Sequence, residues 1–305
     1  AFGLSTGLEY SPGSYAADPE IAALAREVAA VDGVYTTHMR NEADGLIASV
    51  DEALRAARDS GARLQISHLK AEGCRNWGAV NEALARIEAA RAEGVDAACD
   101  VYPYTAFMTG LVVAALPSWV QEKPFEEIAV QLREPLYRER VRASMVEMGV
   151  DWEQIQIAMA PSDRSLQGRS VAGIARARGV APEDAALDIV AGESGLVAAI
   201  VFAIAEEDIR TVLRSPHTSV ASDGATRSAH GPLADDHVHP RSFGTFPRVL
   251  GRYVRQDGVL SWEEAVHRMT GLPASRLRLR RRGVIRPGAF ADIVVLDPNT
   301  VADAA

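Results

Sequence analysis

The sequence predicts an α/β fold made of repeated strand–helix units whose parallel strands end at one common edge. Short apolar runs end at polar residues at Glu9, His38, His68 and Tyr102, and these positions lie 29, 30 and 34 residues apart. Each interval also holds an amphipathic stretch long enough for one helix. Near-constant spacing of strand ends with a helix between them is typical of parallel β/α units with right-handed crossovers.

The individual elements of the first hundred residues carry recognisable start and stop signals. The first strand is predicted within residues 1–8, and the first helix begins at Asp18, which is followed by a proline. Proline in the first turn favours a helix start. The second and third helices are predicted to end near Gly61 and Gly94, because glycine commonly terminates helices. Residues 1–110 are therefore predicted to form the barrel-type β/α units.

The remaining chain divides into three further predicted regions. The regular spacing is lost over 111–214, where helical patterns mix with two strand patterns, and this stretch is too long for a loop. We predict an inserted subdomain or lid there. Residues 215–282 are predicted to hold the last barrel strand, a substrate loop and a helix capped by Ser261. Residues 283–305 are predicted to start a strand of a small β-sandwich.

Composition excludes several classes of function. The 305-residue chain has a net charge of −9, which argues against nucleic acid or an anionic membrane as a partner. The basic cluster at 276–282 is interpreted as a solvated or salt-bridged face. Two cysteines and the lack of a membrane-spanning run or signal peptide favour a cytoplasmic protein. The oligomeric state is left open. The chain starts without methionine, and both ends are expected to be cut from a longer protein.

Two histidines at neighbouring strand ends form the candidate metal site. In a parallel β/α fold, His38 and His68 converge at the carboxyl edge of the sheet, where such folds keep their chemistry. Imidazole nitrogens suit Zn²⁺. Glu9 ends the first strand and is either a further metal ligand or part of a structural turn. Asp223 ends a later strand, where a carboxylate can take a proton from water and return it to a leaving amine.

Other histidines and the cysteines are weaker metal candidates. The His237–His239 pair lies in a polar loop, and it is interpreted as part of the loop structure rather than as the metal pair. Cys74 and Cys99 are interpreted as incidental thiols.

Three further residues indicate an anionic small-molecule substrate. Lys70 follows His68 by two residues, Tyr102 ends the fourth strand, and Arg241 lies in a loop flanked by rigid residues. A lysine, an arginine and a tyrosine hydroxyl near a hydrolytic metal could anchor a carboxylate.

An ordered set of motifs resembles the D-aminoacylase (N-acyl-D-amino-acid deacylase) family of the amidohydrolase superfamily. These motifs cover residues 3–13, 37–42, 67–70, 100–104, 222–224, 239–248 and 286–295. The resemblance implies a zinc-dependent partial (β/α)₈ TIM-type barrel, holding strands four to eight, with an inserted subdomain and the remnant of a small β-sandwich. It implies that the family's own His-x-His and a cysteine zinc ligand would lie upstream of Ala1.

The same resemblance implies an activity and roles for the candidate residues. The reaction is cleavage of the amide bond of N-acyl-D-amino acids, which gives a carboxylate and a free D-amino acid. His38 and His68 would be zinc ligands and Asp223 the general base and acid. Lys70, Tyr102 and Arg241 would hold the substrate α-carboxylate. One zinc ion is expected, and a second is left open.

Two alternatives remain open at this point. The first is a cyclic-amide hydrolase of the dihydropyrimidinase or dihydroorotase kind, which would favour a carbamylated lysine where Glu9 stands. The second is a metal-free barrel remnant without catalytic activity.

Overall fold

A computed structural model describes residues 2–228, 230–231, 234 and 237–303 of the chain. Its strands are β1 (Gly3–Gly7), β2 (Val34–His38), β3 (Arg63–Ile66), β4 (Ala97–Val101), β5 (Phe107–Gly110), β6 (Ile155–Met159), β7 (Ala198–Val201) and β8 (Thr218–Val220). Its α-helices are α1 (Asp18–Ala30), α2 (Leu46–Ser60), α3 (Val80–Ala92), α4 (Leu111–Ala115), α5 (Ser118–Gln121), α6 (Phe125–Gln131), α7 (Pro135–Met148), α8 (Val171–Arg178), α9 (Pro182–Gly192), α10 (Glu206–Arg214), α11 (Arg241–Arg248), α12 (Trp262–Met269) and α13 (Gly271–Arg276).

The chain separates into two compact units. The first consists of Ala1–Thr105, Ile204–Ala225 and Pro240–Ala305, and the second of Ala106–Ala203 and Thr226–His239. None of the described helices is long and apolar enough to cross a bilayer.

The first unit is built on a five-stranded parallel sheet with the order β1-β2-β3-β4-β8. Helices α1, α2 and α3 connect the first four strands, as the strand-end spacing predicts. The predicted partial (β/α)₈ barrel of five strands is therefore confirmed. The register pairs Gly7 with His38 and Thr37 with Ile66, so the carboxyl ends of the strands lie level along one edge.

Buried apolar residues of the sheet and of its helices form the core of the first unit. Leu64 and Ile66 of the central strand β3 share one face of the sheet, and both are fully buried, as are Val50 of α2 and Ile87 of α3. This packing fixes the strand ends, from which the candidate site projects.

The second unit is a three-stranded antiparallel sheet, β5-β7-β6, packed with short helices. Its core contains apolar residues of α4, α8 and α9, among them Leu111, Ile174 and Leu187. Helix α8 starts at Ser170, whose side chain accepts a hydrogen bond from the Gly173 N–H. Strands β6 and β7 agree with the two strand patterns expected between 111 and 214, whereas β5 was not expected.

Two regions differ from the sequence expectation. The predicted inserted region reaches 214, but α10 belongs to the first unit, where Asp208 accepts a hydrogen bond from the backbone of Gly78 at 2.9 Å. The predicted sandwich strand near 291–297 does not form within the described part of the chain. Val295 there is 92% exposed. A strand is stable only when a neighbouring strand pairs with its backbone, and no described strand lies beside this segment.

The polar loop expected before Ser261 is instead largely helical. Helix α11 runs directly into a π-helical stretch, Val249–Gln256. The following helix, α12, begins with the predicted cap, because Ser261 and Glu264 each accept a hydrogen bond from the other's backbone N–H.

Candidate active site

The two predicted histidines face each other at the carboxyl ends of neighbouring strands. His38 is the last residue of β2, and His68 follows the end of β3 by two residues. His38 Nδ1 lies 2.9 Å from His68 Nε2, and the ring centroids are 4.7 Å apart. One nitrogen of each ring is thus directed at the other ring, and these two nitrogens are the inner pair of the site.

The outer nitrogen of each histidine contacts a carboxylate. Glu9 Oε2 lies 2.7 Å from His38 Nε2, and Glu42 Oε1 lies 3.1 Å from His68 Nδ1. A carboxylate on the second ring nitrogen is the usual arrangement for metal-binding histidines, because it fixes the tautomer and the ring orientation.

Glu42 also forms a buried ion pair with Lys70. Its Oε2 accepts a hydrogen bond from the Lys70 ammonium, and both side chains are almost fully buried. Burial alone would raise the pKa of Glu42, but Lys70 and His68 outweigh it and hold that pKa at about 2. Burial likewise acts to lower the pKa of Lys70, and Glu42 reverses this, so the pKa of Lys70 is raised. Both groups are therefore charged at neutral pH.

A second acid near Lys70 behaves differently. Glu72 Oε1 lies 3.6 Å from Lys70 Nζ. Burial raises the pKa of the Glu72 carboxyl to about 7, with Lys70 opposing the rise.

Asp100 of β4 holds the backbone of His68. Its Oδ1 accepts a hydrogen bond from the His68 N–H at 2.7 Å, and its Oδ2 accepts one from Gln65 Nε2 at 2.8 Å. His68 has a φ of 37°, a left-handed conformation that costs energy for a residue with a Cβ. The carboxylate thus stabilises the backbone turn that aims the His68 ring at His38.

Asp223 and Arg241 are connected to His68 through the Tyr102 ring. Arg241 Nη1 is 2.7 Å from Asp223 Oδ2, and the guanidinium lies 4.8 Å from the centroid of the Tyr102 ring. The Tyr102 ring is in turn 6.3 Å from the His68 ring. Gly224 makes this approach possible, because a Cβ there would lie 2.9 Å from Cα of Ser242.

All seven predicted site residues therefore belong to one connected cluster. Each residue contacts the next in the order Glu9, His38, His68, Tyr102, Arg241 and Asp223. Lys70 is connected to this cluster through its ion pair with Glu42. Glu9 contacts the outer nitrogen of His38 with Oε2, and its role as a metal ligand stays a prediction.

Sequence reasoning missed Glu42 as a site residue. The feature of the sequence that could have indicated Glu42 is its position four residues after His38, within the motif at 37–42. That feature is weak, because a single acidic residue in a loop is usually solvated. Its role emerges only from the tertiary contacts with His68 and Lys70. Two of the residues weighed as weaker metal candidates have other partners: His239 Nε2 contacts the Ala106 carbonyl at 2.8 Å within the second unit, and Cys99 Sγ contacts Thr218 Oγ1 at 3.3 Å within the first.

The model for the Amidohydrolase family matches residues 25–304 of the chain. The chain belongs to the amidohydrolase family.

Two curated amidohydrolases resemble the whole of this chain. Both are from Alcaligenes xylosoxydans xylosoxydans: an N-acyl-D-glutamate deacylase, 36% identical over 305 residues, and a D-aminoacylase, 36% identical over 312 residues. Each match covers 100% of this chain but 53% and 54% of the relatives. The chain thus spans about half the length of the curated relatives it matches.

Solved structures agree with these sequence matches. An N-acyl-D-glutamate deacylase from Bordetella bronchiseptica, complexed with zinc and a phosphonate inhibitor, superposes with a TM-score of 0.80 at 36% identity, covering 100% of this chain and 55% of that one. A D-aminoacylase described as having a binuclear metal centre superposes with a TM-score of 0.77 at 35% identity, with the same coverage.

The inner nitrogens of His38 and His68 fit two of the positions around a zinc ion. Among the described residues, His38, Glu42 and His68 form a group whose potential ligand atoms all lie within 4.8 Å of one another. Glu42 already contacts Lys70 and His68 with its two oxygens, so the inner nitrogens are the donors open to a metal. Two nitrogens bound tetrahedrally at about 2.0–2.1 Å lie about 3.3 Å apart, and the inner pair is 2.9 Å apart.

Proposed function

We propose that the protein to which this chain belongs hydrolyses the amide bond of N-acyl-D-amino acids in a metal-dependent reaction. The observation that carries the proposal is the inner nitrogen pair of His38 and His68, with Asp223 in the same contact network. The chain's similarity to an N-acyl-D-glutamate deacylase and a D-aminoacylase supports the substrate class.

His38 and His68 would hold the metal with Nδ1 and Nε2, respectively. A bound zinc ion would activate water at neutral pH and polarise the amide carbonyl. One ion is proposed, since the inner nitrogens of His38 and His68 form one pair of donors among the described residues. Glu9 and Glu42 would then act on the outer ring nitrogens, as orienting acceptors.

Asp223 would be the general base and acid. Its side chain is 40% exposed, so water and substrate can reach it, and Arg241 fixes its position through a contact of 2.7 Å. The Asp223 carboxylate would take a proton from the attacking water and pass it to the departing amine nitrogen. Water and amide are consumed, and a carboxylate and a free amino group are formed.

The positive side chains of the site favour an anionic substrate. The charges of Lys70 and Arg241 both act on the Tyr102 hydroxyl, but burial outweighs them and raises the pKa of Tyr102, so this hydroxyl stays protonated. Two cations and one hydroxyl donor match the α-carboxylate of an N-acyl amino acid.

The test is zinc content and hydrolysis measured on the purified 305-residue chain beside a His68→Ala variant. About one zinc per chain, lost in the variant, together with release of amino acid from N-acetyl-D-amino acids, is the expected result. The L-enantiomers serve as a matched control for stereochemistry. If the zinc-loaded protein that contains this chain hydrolyses neither enantiomer, the deacylase proposal fails.

A further inference from the structure

His68 Nδ1 has two polar neighbours of opposite character. Glu42 Oε1, an acceptor, lies 3.1 Å away, and Lys70 Nζ, a donor, lies at the same distance of 3.1 Å. The second oxygen of Glu42 holds the Lys70 ammonium. The three side chains form a closed triangle, buried from solvent, in which Glu42 contacts both partners.

These two neighbours favour different tautomers of the imidazole. A neutral imidazole carries one N–H, and an ammonium group can only donate. If Lys70 donates to His68 Nδ1, the ring proton must sit on Nε2, where it faces His38 and blocks the inner nitrogen. If His68 Nδ1 carries the proton and donates to Glu42, Nε2 keeps its lone pair.

We propose that Glu42 is a positioning residue that keeps the proton of His68 on Nδ1 and holds the Lys70 ammonium off that nitrogen, so that Nε2 stays open to the metal. This inference rests on the proposed function, because it assumes that His68 Nε2 is a zinc donor. It also gives Glu42 a second task, since the same carboxylate fixes the lysine proposed to bind the substrate carboxylate.

The two partners of the ion pair should then affect zinc in opposite directions. Without the Glu42 carboxylate, Lys70 remains next to His68 Nδ1, favours the blocked tautomer and repels a divalent cation. Without the Lys70 ammonium, Glu42 still accepts the Nδ1 proton and its negative charge is no longer neutralised. A pair that acted only as a structural brace would lose the same function whichever partner was removed.

The experiment measures the zinc dissociation constant of the full 305-residue chain by competition with a chromophoric chelator at pH 8. Glu42→Gln is expected to weaken zinc binding by about 10–100-fold, the usual effect of removing an orienting partner of a metal-bound histidine. Lys70→Met is expected to bind zinc at least as tightly as the unmodified chain. The double variant Glu42→Gln with Lys70→Met is expected to recover most of the loss, since the glutamine oxygen can then accept the Nδ1 proton.

Glu52→Gln is the matched control. Glu52 is also a buried carboxylate paired with a cation, Arg40, at 2.8 Å, but it contacts neither histidine. It should lower the melting temperature and leave zinc affinity unchanged. The double variant lacks any uncompensated charge in the triangle, so it tests the inference even if Glu42→Gln alone fails to fold.

The outcomes separate this inference from the proposed function. Equal weakening of zinc binding by Glu42→Gln and Lys70→Met, or no rescue in the double variant, overturns the positioning role while the metal site stands. If the unmodified chain binds no zinc, the metal site of the proposed function fails for this chain and the inference falls with it.

Discussion

Replacing Asp100 by alanine tests whether a single carboxylate sets the backbone geometry of the metal site. Asp100 accepts one hydrogen bond from the His68 N–H at 2.7 Å and one from Gln65 Nε2 at 2.8 Å. Both donors are buried in the first unit. Alanine leaves both without a partner and removes the group that stabilises the left-handed backbone of His68.

The expected loss follows from those two hydrogen bonds. An unsatisfied buried donor costs about 1–3 kcal/mol, so the loss of a partner for two donors in Asp100→Ala should lower the free energy of unfolding by about 2–6 kcal/mol. For a chain of this size, that corresponds to a decrease of roughly 3–9 °C in melting temperature. Because His68 is no longer held in place, zinc affinity should also fall at least about tenfold.

Asp100→Asn is the matched control for this experiment. The asparagine oxygen can still accept the His68 N–H, and its amide can donate to Gln65 once the Gln65 side chain turns over. That turn breaks no other side-chain hydrogen bond, because Gln65 Oε1 has no partner among the described residues. The asparagine variant should therefore stay close to the unmodified chain in both measurements.

Thermal unfolding in the presence of a chelator, followed by zinc competition on the same samples, provides both measurements. The reasoning is refuted if Asp100→Ala melts and binds zinc like the unmodified chain. It is equally refuted if Asp100→Asn is damaged as severely as Asp100→Ala, since the hydrogen-bond geometry would then not be the cause.

Three further predictions concern catalysis, pH and packing. Asp223→Asn should keep zinc binding but reduce hydrolysis of N-acetyl-D-amino acids by about 10²–10⁴-fold, as loss of a general base does; unchanged turnover in a steady-state assay would contradict its role. Burial raises the pKa of Glu72 from 4.5 to about 7, so the folded state binds a proton that the unfolded state releases, and stability should fall as pH rises from about 4.5 to 7. Glu72→Gln should remove this dependence of stability on pH and stabilise the zinc-free chain at pH 8 by at most about 3 kcal/mol. Urea unfolding measured across this pH range is the assay, and a plot of stability against pH for the variant that runs parallel to that of the unmodified chain would exclude Glu72 as the source. Leu64→Ala, at a fully buried position of β3, should lower the free energy of unfolding by about 2–5 kcal/mol, whereas Leu136→Ala, at a position 90% exposed, should melt like the unmodified chain. Equal melting temperatures of the two variants would contradict the assigned core.

The sequence by itself predicted the first four parallel strands, at whose ends most of the site lies. The intervals between Glu9, His38, His68 and Tyr102 predicted four parallel strand ends in register, and β1 to β4 have that register. Such predictions succeed because hydrophobic periodicity and turn residues are local properties, and because a parallel β/α unit converts even spacing along the chain into proximity at one edge.

Only the tertiary structure decided how the polar groups pair. Glu42, to which the sequence assigned no role, is buried against His68 and Lys70, and Glu9 lies on the outer nitrogen of His38. The apolar pattern at 291–297 predicted a strand that does not form in the described chain, because strand formation depends on a pairing partner rather than on local preference. Spacing along the chain determined which residues meet, whereas the contacts of each individual atom depended on burial and on neighbours far away in sequence.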